Sequence, residues 1–220
     1  MHEKLFTPGP TEVRTELLQQ LSTAQIHHRT EEFSRVYDDI QVNLQKLLYT
    51  DNPVLLFSSS STGAMEAAVT NGVKKRCLNF VNGAFSERWH QITKKNGIAC
   101  DKVDIPWDQA IKPELVEKEL AKGDYDAITV VLNETSTGLM NPIKEIGEVI
   151  KKFDDVLFLV DAVSGMAGTK IKVDEWGIDM CLAGVQKAFA LPAGLTVASV
   201  SDKLLDRAEE VESKSYYFNL

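Results

Sequence analysis

The sequence is poor in most of the features that would tie it to a familiar class of function. It has three cysteines in 220 residues: Cys77, Cys100 and Cys181. They are widely spaced, with no CxxC pair and no zinc-ligand spacing. Neither a disulfide framework nor a structural zinc site is read from them, and buried reduced thiols of a cytoplasmic protein are expected. No apolar run approaches the length of a membrane span, so no membrane partner is expected. Met1-His2-Glu3-Lys4 leads into no long apolar core, so no secretory leader is expected either. Basic residues are too few for a nucleic-acid partner: 24 Lys and Arg face 32 Asp and Glu, a net charge of -8, whereas a phosphate-backbone footprint is basic. Of the four histidines, His27 and His28 are adjacent and their side chains are expected to diverge. His2 and His90 lack ligand-spaced partners, so no metal site is read. There is no Gly-x-Ser-x-Gly elbow, no Walker A loop and no G-x-G-x-x-G turn, which speaks against serine hydrolases and doubly wound nucleotide binders.

What is present suits a globular α/β chain: 44% hydrophobic and 25% charged residues, with ample length for a core. Thr7-Pro8-Gly9-Pro10-Thr11 is a rigid, turn-rich opening. Helical periodicity follows in Phe33, Val36, Tyr37, Ile40, Leu44, Leu47 and Leu48,. Apolar runs at 54–57, 78–81, 127–132 and 156–160 read as buried strands, and 180–183 and 196–200 are two further candidates. Helical stretches alternate with them at about 62–74, 86–95, 113–121 and 142–152. Pro113 and Pro142 suit first-turn positions, and Glu114 and Glu145 favour helix N-termini electrostatically. Such alternation implies a three-layer αβα architecture, with helices on both faces of a mostly parallel sheet. An acidic amphipathic run, 202–212, precedes the apolar segment Ser215-Tyr216-Tyr217-Phe218-Asn219-Leu220. That segment either packs on the core or reflects a cut inside a larger unit.

In an open parallel sheet, ligands bind beyond the carboxyl ends of the strands. Three loops there carry suitable side chains. Ser58-Ser59-Ser60-Ser61-Thr62-Gly63 offers hydroxyls and free amides at a helix start, which suits a phosphate; helix capping, which one serine would satisfy, is the plainer use. Asn133-Glu134-Thr135-Ser136-Thr137-Gly138 could orient a ring substituent or a carbonyl, or simply turn the chain. Val160-Asp161-Ala162-Val163-Ser164-Gly165 delivers an aspartate at the end of an apolar strand, either as a turn cap or as a functional carboxylate. Lys187 lies among small and apolar neighbours, Ala183-Gly184-Val185-Gln186-Lys187-Ala188-Phe189. It is either a surface charge or a desolvated amine able to attack a carbonyl. Lysine as Schiff-base former with aspartate as partner of a pyridinium nitrogen is the pairing of pyridoxal phosphate enzymes.

These segments, taken together and in order, resemble the class V aminotransferases, within the aspartate-aminotransferase-like (fold type I) pyridoxal phosphate enzymes. The branch they look most like is that of the alanine–glyoxylate and serine–pyruvate aminotransferases. The resemblance rests on Thr7-Pro8-Gly9-Pro10-Thr11, His28-Arg29-Thr30-Glu31-Glu32-Phe33, Ser60-Ser61-Thr62-Gly63-Ala64-Met65-Glu66-Ala67 and Asn82-Gly83-Ala84-Phe85. It extends through Glu134-Thr135-Ser136-Thr137-Gly138, Val160-Asp161-Ala162-Val163-Ser164 and Gly184-Val185-Gln186-Lys187.

The resemblance implies a role for each matching residue. Lys187 would hold pyridoxal 5'-phosphate as a Schiff base and then shuttle the substrate's α-proton. Asp161 would keep the pyridine nitrogen protonated. Thr135 would bond the ring's phenolic oxygen, and Phe85 would stack on the ring. Ser60, Ser61 and Thr62, with Gln186, would hold the phosphate. Gly9 would line the substrate side, while His28 and Arg29 would anchor structure near the entrance. The resemblance also implies an N-terminal arm, 1–14, followed by a cofactor-binding large domain, 15–220. That domain would be incomplete at its carboxyl end, with the small C-terminal domain missing. None of Arg14, Arg29, Arg35, Arg76, Arg88 and Arg207 can be assigned from spacing as the clamp on a substrate carboxylate. The function so implied is amino transfer between a small amino acid of alanine or serine type and a 2-oxo acid of glyoxylate or pyruvate type, in a homodimer. A catalytically silent cofactor-binding or assembly module of the same fold, or a lyase-type reaction, are the alternatives.

Overall fold

A computed structural model of the chain describes residues 3–212 and 215–220. In chain order the elements are α1 (Thr15–Gln20), α2 (Glu31–Leu48), β1 (Val54–Phe57), α3 (Ser61–Gly72), β2 (Cys77–Val81), α4 (Ala84–Lys95), β3 (Cys100–Asp104) and α5 (Pro113–Leu120). There follow β4 (Ala127–Val131), the short strands β5 (Asn133–Glu134) and β6 (Leu139–Met140), α6 (Ile143–Ile150), β7 (Leu157–Asp161), β8 (Met180–Gly184), β9 (Thr196–Val200) and α7 (Asp202–Glu210). Strands β5 and β6 form their own hairpin, while the other seven make one sheet in the order β1-β9-β8-β7-β4-β2-β3. From β8 to β3 every pairing is parallel. Strand β9 runs antiparallel to both β8 and β1, so β1 points the same way as β8. The carboxyl ends of β1, β2, β4, β7 and β8 therefore open onto one edge.

Strand alternation sorts the core onto two faces. Phe158 and Val160 join Ile128, Val130 and the apolar stripes of α5 and α6. Leu157 and Leu159 join Ala64, Met65, Ala68 and Val69 of α3, Trp89 of α4 and Leu204 of α7. Burying side chains of this size contributes about 1.5–3 kcal/mol each, and both faces are covered, as the three-layer reading requires. Trp89 also donates its Nε1–H to the Met65 carbonyl at 3.0 Å, tying α4 to α3. Asp161, in phase with Leu157 and Leu159, sits at the carboxyl end of β7 on the α3–α4 side.

A buried ion pair closes the opposite end of the sheet. Asp126 accepts the backbone amides of Lys74, Lys75 and Arg76 and pairs at 3.0 Å with Arg207 of α7. Arg207 reaches Asp155 with its second nitrogen. Arg207 is thus a structural bolt, since removing one partner of a buried pair strands the other charge.

The structure departs from the sequence reading at several points. Strand β3 was not expected, because Cys100-Asp101-Lys102-Val103-Asp104 has no apolar run. It is an edge strand, where charges are what keeps an edge from pairing further. Strand β7 begins at Leu157 and takes Asp161 into the ladder. Pro113 does occupy the first turn of α5, but Pro142 is the N-cap of α6, one place outside the helix. Cys77 and Cys181 are buried free thiols, whereas Cys100 is only half-buried. His27 and His28 do not diverge: their rings stack with centroids 4.8 Å apart. Among the described residues no group of three or more metal-ligating side chains gathers, and His2 lies outside them. No helix among the described residues is long and apolar enough to cross a membrane.

Candidate active site

The five loops at the carboxyl edge converge on a cleft of about 240 Å³. Gly9, Ser60, Ser61, Thr62, Phe85, Thr135, Asp161, Gln186 and Lys187 all line it. Every site residue read from the sequence is therefore in one place, although they come from segments spread along nearly the whole chain. His28 and Arg29 are exposed and are not among the residues lining the cleft.

The serine turn between β1 and α3 is not spent on capping. Ser60 occupies the N-cap position of α3 without a side-chain cap bond. Ser59 Oγ donates to the Ser60 carbonyl instead. Ser61 is more than nine-tenths buried, yet its Oγ has no partner among the described residues. A buried hydroxyl left unsatisfied is costly, and here it stands at the first turn of α3, ahead of the Gly63 amide, which donates to the Ser60 carbonyl at 2.8 Å. Gln186 shares this corner: a Cβ on Gly184 would lie 2.5 Å from both Ser61 Oγ and Gln186 Oε1.

Lys187 follows β8 in a tight turn, closed by the Ala190 amide donating to the Lys187 carbonyl at 2.9 Å. The N-terminal segment lies across this turn. Thr11 donates its amide to the Gln186 carbonyl at 3.1 Å and its hydroxyl to the Lys187 carbonyl at 3.0 Å. The lysine stem runs against Gly9, where a Cβ would meet Lys187 Cδ at 2.3 Å and Nζ at 2.9 Å. The apolar frame read from the sequence is corrected here: Lys187 is only half-buried. Val185 and Phe189 pack on the core while Ala188 is exposed, and the Lys187 side chain lines the cleft.

Asp161 is buried. One oxygen accepts the Val163 amide at 2.8 Å, which closes a turn. The carboxyl makes no other hydrogen bond among the described residues. Burial pushes its pKa up to about 7; the Val163 amide opposes the rise, Glu134 adds to it, and Arg88 and Lys187 oppose it. Such a carboxylate is short of positive charge.

Phe85 is presented by the first turn of α4, and the buried Glu134 fixes that turn. Its carboxylate accepts from the Phe85 and Ser86 amides and from the Ser86 and Ser136 hydroxyls. This is an acidic side chain at a helix N-terminus, where the dipole favours it. Across the cleft Thr135 and Ser164 share a 2.6 Å hydroxyl–hydroxyl bond. Sequence reasoning assigned no role to Glu134, Asn133, Ser164 or Arg88. Asn133, whose Oδ1 is buried without a partner among the described residues, Ser164 and Arg88 also line the cleft. Arg88 holds its guanidinium 4.9 Å from the Phe85 ring centroid. The signal was available, because residues i and i+3 share a helix face.

Comparison with known proteins agrees with this geometry. An uncharacterized aminotransferase of Methanocaldococcus jannaschii is 40% identical over 220 residues, 98% of this chain and 57% of that protein. An L-aspartate–glyoxylate aminotransferase of Paracoccus denitrificans is 32% identical over 224 residues, 98% of this chain and 56% of that protein. The crystal structure of a ureidoglycine–glyoxylate aminotransferase from Bacillus subtilis superposes with a TM-score of 0.93 at 28% identity, covering 100% of this chain and 58% of that one. The chain thus spans less than two thirds of the length of these relatives. The pattern of the family described as Aminotransferase class-V matches residues 7–219, which takes in every loop that forms the cleft. The chain belongs to the class-V aminotransferase family.

Proposed function

We propose that the cleft binds pyridoxal 5'-phosphate and serves amino transfer between a small amino acid, of alanine or serine type, and a 2-oxo acid of glyoxylate or pyruvate type. The observation that carries this reading is Asp161, a buried carboxylate short of positive charge, in the same cleft as an amine, Lys187. The donor set fits the cofactor. The Ser61 Oγ, with Ser60, Thr62, Gln186 and the Ser61 and Thr62 amides at the start of α3, suits a phosphate. Asp161 suits a protonated ring nitrogen, Thr135 a phenolic oxygen and Phe85 a ring face. When bound, the cofactor supplies an electron sink for charge developing at the substrate α-carbon.

The chain's own residues supply the rest. Lys187 Nζ would hold the cofactor covalently and, once released, accept and return the substrate's α-proton. Thr11 and Gly9 would keep that side chain on course, and Glu134 would hold the α4 turn that presents Phe85. The glyoxylate in the names of the Paracoccus and Bacillus relatives supports a small 2-oxo acid as acceptor. We read residues 1–14, of which 1–2 lie outside the described residues, as an N-terminal arm and residues 15–220 as the cofactor-binding unit, a reading supported by Thr11 lying across the Lys187 turn. Exposed apolar residues along α2 support a homodimer, and three free thiols suit a cytoplasmic setting.

The test is a half-reaction. The purified chain is loaded with pyridoxal phosphate, freed of excess and given alanine or serine without acceptor. One equivalent of 2-oxo acid per site is expected, with loss of the visible absorbance band. A loaded protein that releases none would overturn amino transfer and leave a silent cofactor-binding module.

A further inference from the structure

The serine turn is braced from outside by a segment distant in sequence. Asn71, fully buried near the end of α3, clamps this segment by its backbone: Nδ2 donates to the Phe218 carbonyl at 2.6 Å, and Oδ1 accepts the Leu220 amide at 3.1 Å. The same Nδ2 donates to the Ala67 carbonyl at 2.8 Å, so the clamp is fixed to its own helix. Tyr217 Oη donates to the Ser58 carbonyl at 3.1 Å. The Phe218 ring lies against Gly63, where a Cβ would be 2.6 Å from Phe218 Cζ and 2.8 Å from Ser59 Oγ. Leu220 packs on the cluster formed by α3, α4 and α7. Residues 217–220 thus touch Ser58 before the turn and Gly63 after it, without lining the cleft themselves.

The turn needs such a brace. Ser60 spends no side-chain bond on its own helix, and the buried Ser61 hydroxyl has no partner among the described residues. A loop that keeps donors unsatisfied tends to relax toward local capping bonds unless its surroundings hold it. We infer that residues Tyr217–Leu220 are a brace that pre-organises the Ser60–Thr62 turn for a phosphate group, with Phe218 and Asn71 as its positioning residues. Docking of the brace and binding of the anion are then coupled. Coupling of this kind is reciprocal: the brace tightens phosphate binding, and phosphate quiets the brace by the same free energy. The inference rests on the reading of the turn as a phosphate site, and the experiment separates the two.

The affinities of pyridoxal phosphate and inorganic phosphate for the whole chain are measured by calorimetry for wild type, Phe218→Ala, Phe218→Leu and Tyr217→Phe. Hydrogen exchange of the 215–220 amides is followed with and without phosphate. Phe218→Ala is expected to weaken both ligands about tenfold, within the usual span of coupling energies. Phe218→Leu, which keeps an apolar contact on Gly63, should recover most of the loss, and Tyr217→Phe should cost less than Phe218→Ala. In the wild type, phosphate should slow exchange at Phe218 and Leu220. Should Phe218→Ala melt earlier while both affinities and the exchange response stay at wild-type values, the segment is packing alone and the brace is overturned. Should the wild type bind neither ligand, the phosphate reading falls and the brace with it.

Discussion

Strand β7 and helix α2 both carry an apolar pattern and meet opposite fates. Every residue of β7 is buried, from Leu157 to Asp161, because helices cover the sheet on both faces. Helix α2 buries only Leu48 at its last position. Phe33, Val36, Ile40 and Leu47, spaced along one face, remain 37–44% exposed. Hydrophobic periodicity establishes that a face is apolar; it does not say what covers it. Around β7 the chain supplies its own cover, and around α2 it does not. The site is built at the self-covered edge, and the segment with Gly9 and Thr11, which precedes α2 in the chain, lies across its Lys187 turn.

Matched substitutions sharpen the contrast. Phe158→Ala empties a fully buried ring site and should lower stability by up to about 5 kcal/mol, read by denaturant unfolding. Asp161→Asn tests the same strand in the opposite direction. The folded-state pKa of Asp161 is raised to about 7, above that of an unfolded aspartate. The folded state therefore binds the proton more tightly. The contribution of this group is full below the unfolded pKa and is lost as pH rises from about 4 toward 7. The cofactor-free Asn variant should then be more stable than wild type by up to about 4 kcal/mol at pH 8, and equal to it near pH 4. Equal melting of the two proteins at pH 8 would show that Asp161 carries no burial penalty.

Smaller effects fall on the arm and on α2. Gly9→Ala places a methyl where the Lys187 stem runs. Borohydride trapping of pyridoxal phosphate on Lys187 should slow several-fold, with unfolding little changed. Phe33→Ala on the open face of α2 should change monomer stability by no more than about 0.5 kcal/mol, one tenth of the Phe158 effect. Its consequence should appear in sedimentation, as weaker self-association. A large stability loss at Phe33 with unchanged association would erase the difference between the two regions.

The sheet was legible because β4, β7 and β8 are short, mostly apolar runs bounded by loop residues, as strands covered on both faces are,. Strand β3 was illegible for the converse reason: at the edge, charged side chains serve better than apolar ones. The site was legible as residue types at strand ends, Asp161 after β7 and the hydroxyl run after β1. The environment of Lys187 was misread, since neighbours along a turn are not neighbours in space. Glu134 hid for the same reason. Its meaning lies in the α4 amides it caps, which come nearly fifty residues earlier in the chain. The contact of Phe218 with Gly63 has no local signature at all.

The central assignment is that Lys187, and no other lysine, is the amine that takes the cofactor. The direct measurement is reduction of the pyridoxal phosphate-loaded chain with borohydride, followed by peptide mass mapping. A single pyridoxyl-phosphate adduct is expected on Lys187, with none anywhere in Lys187→Ala. Adducts scattered over other lysines, or an unchanged yield in Lys187→Ala, would contradict the assignment and the active site built around it.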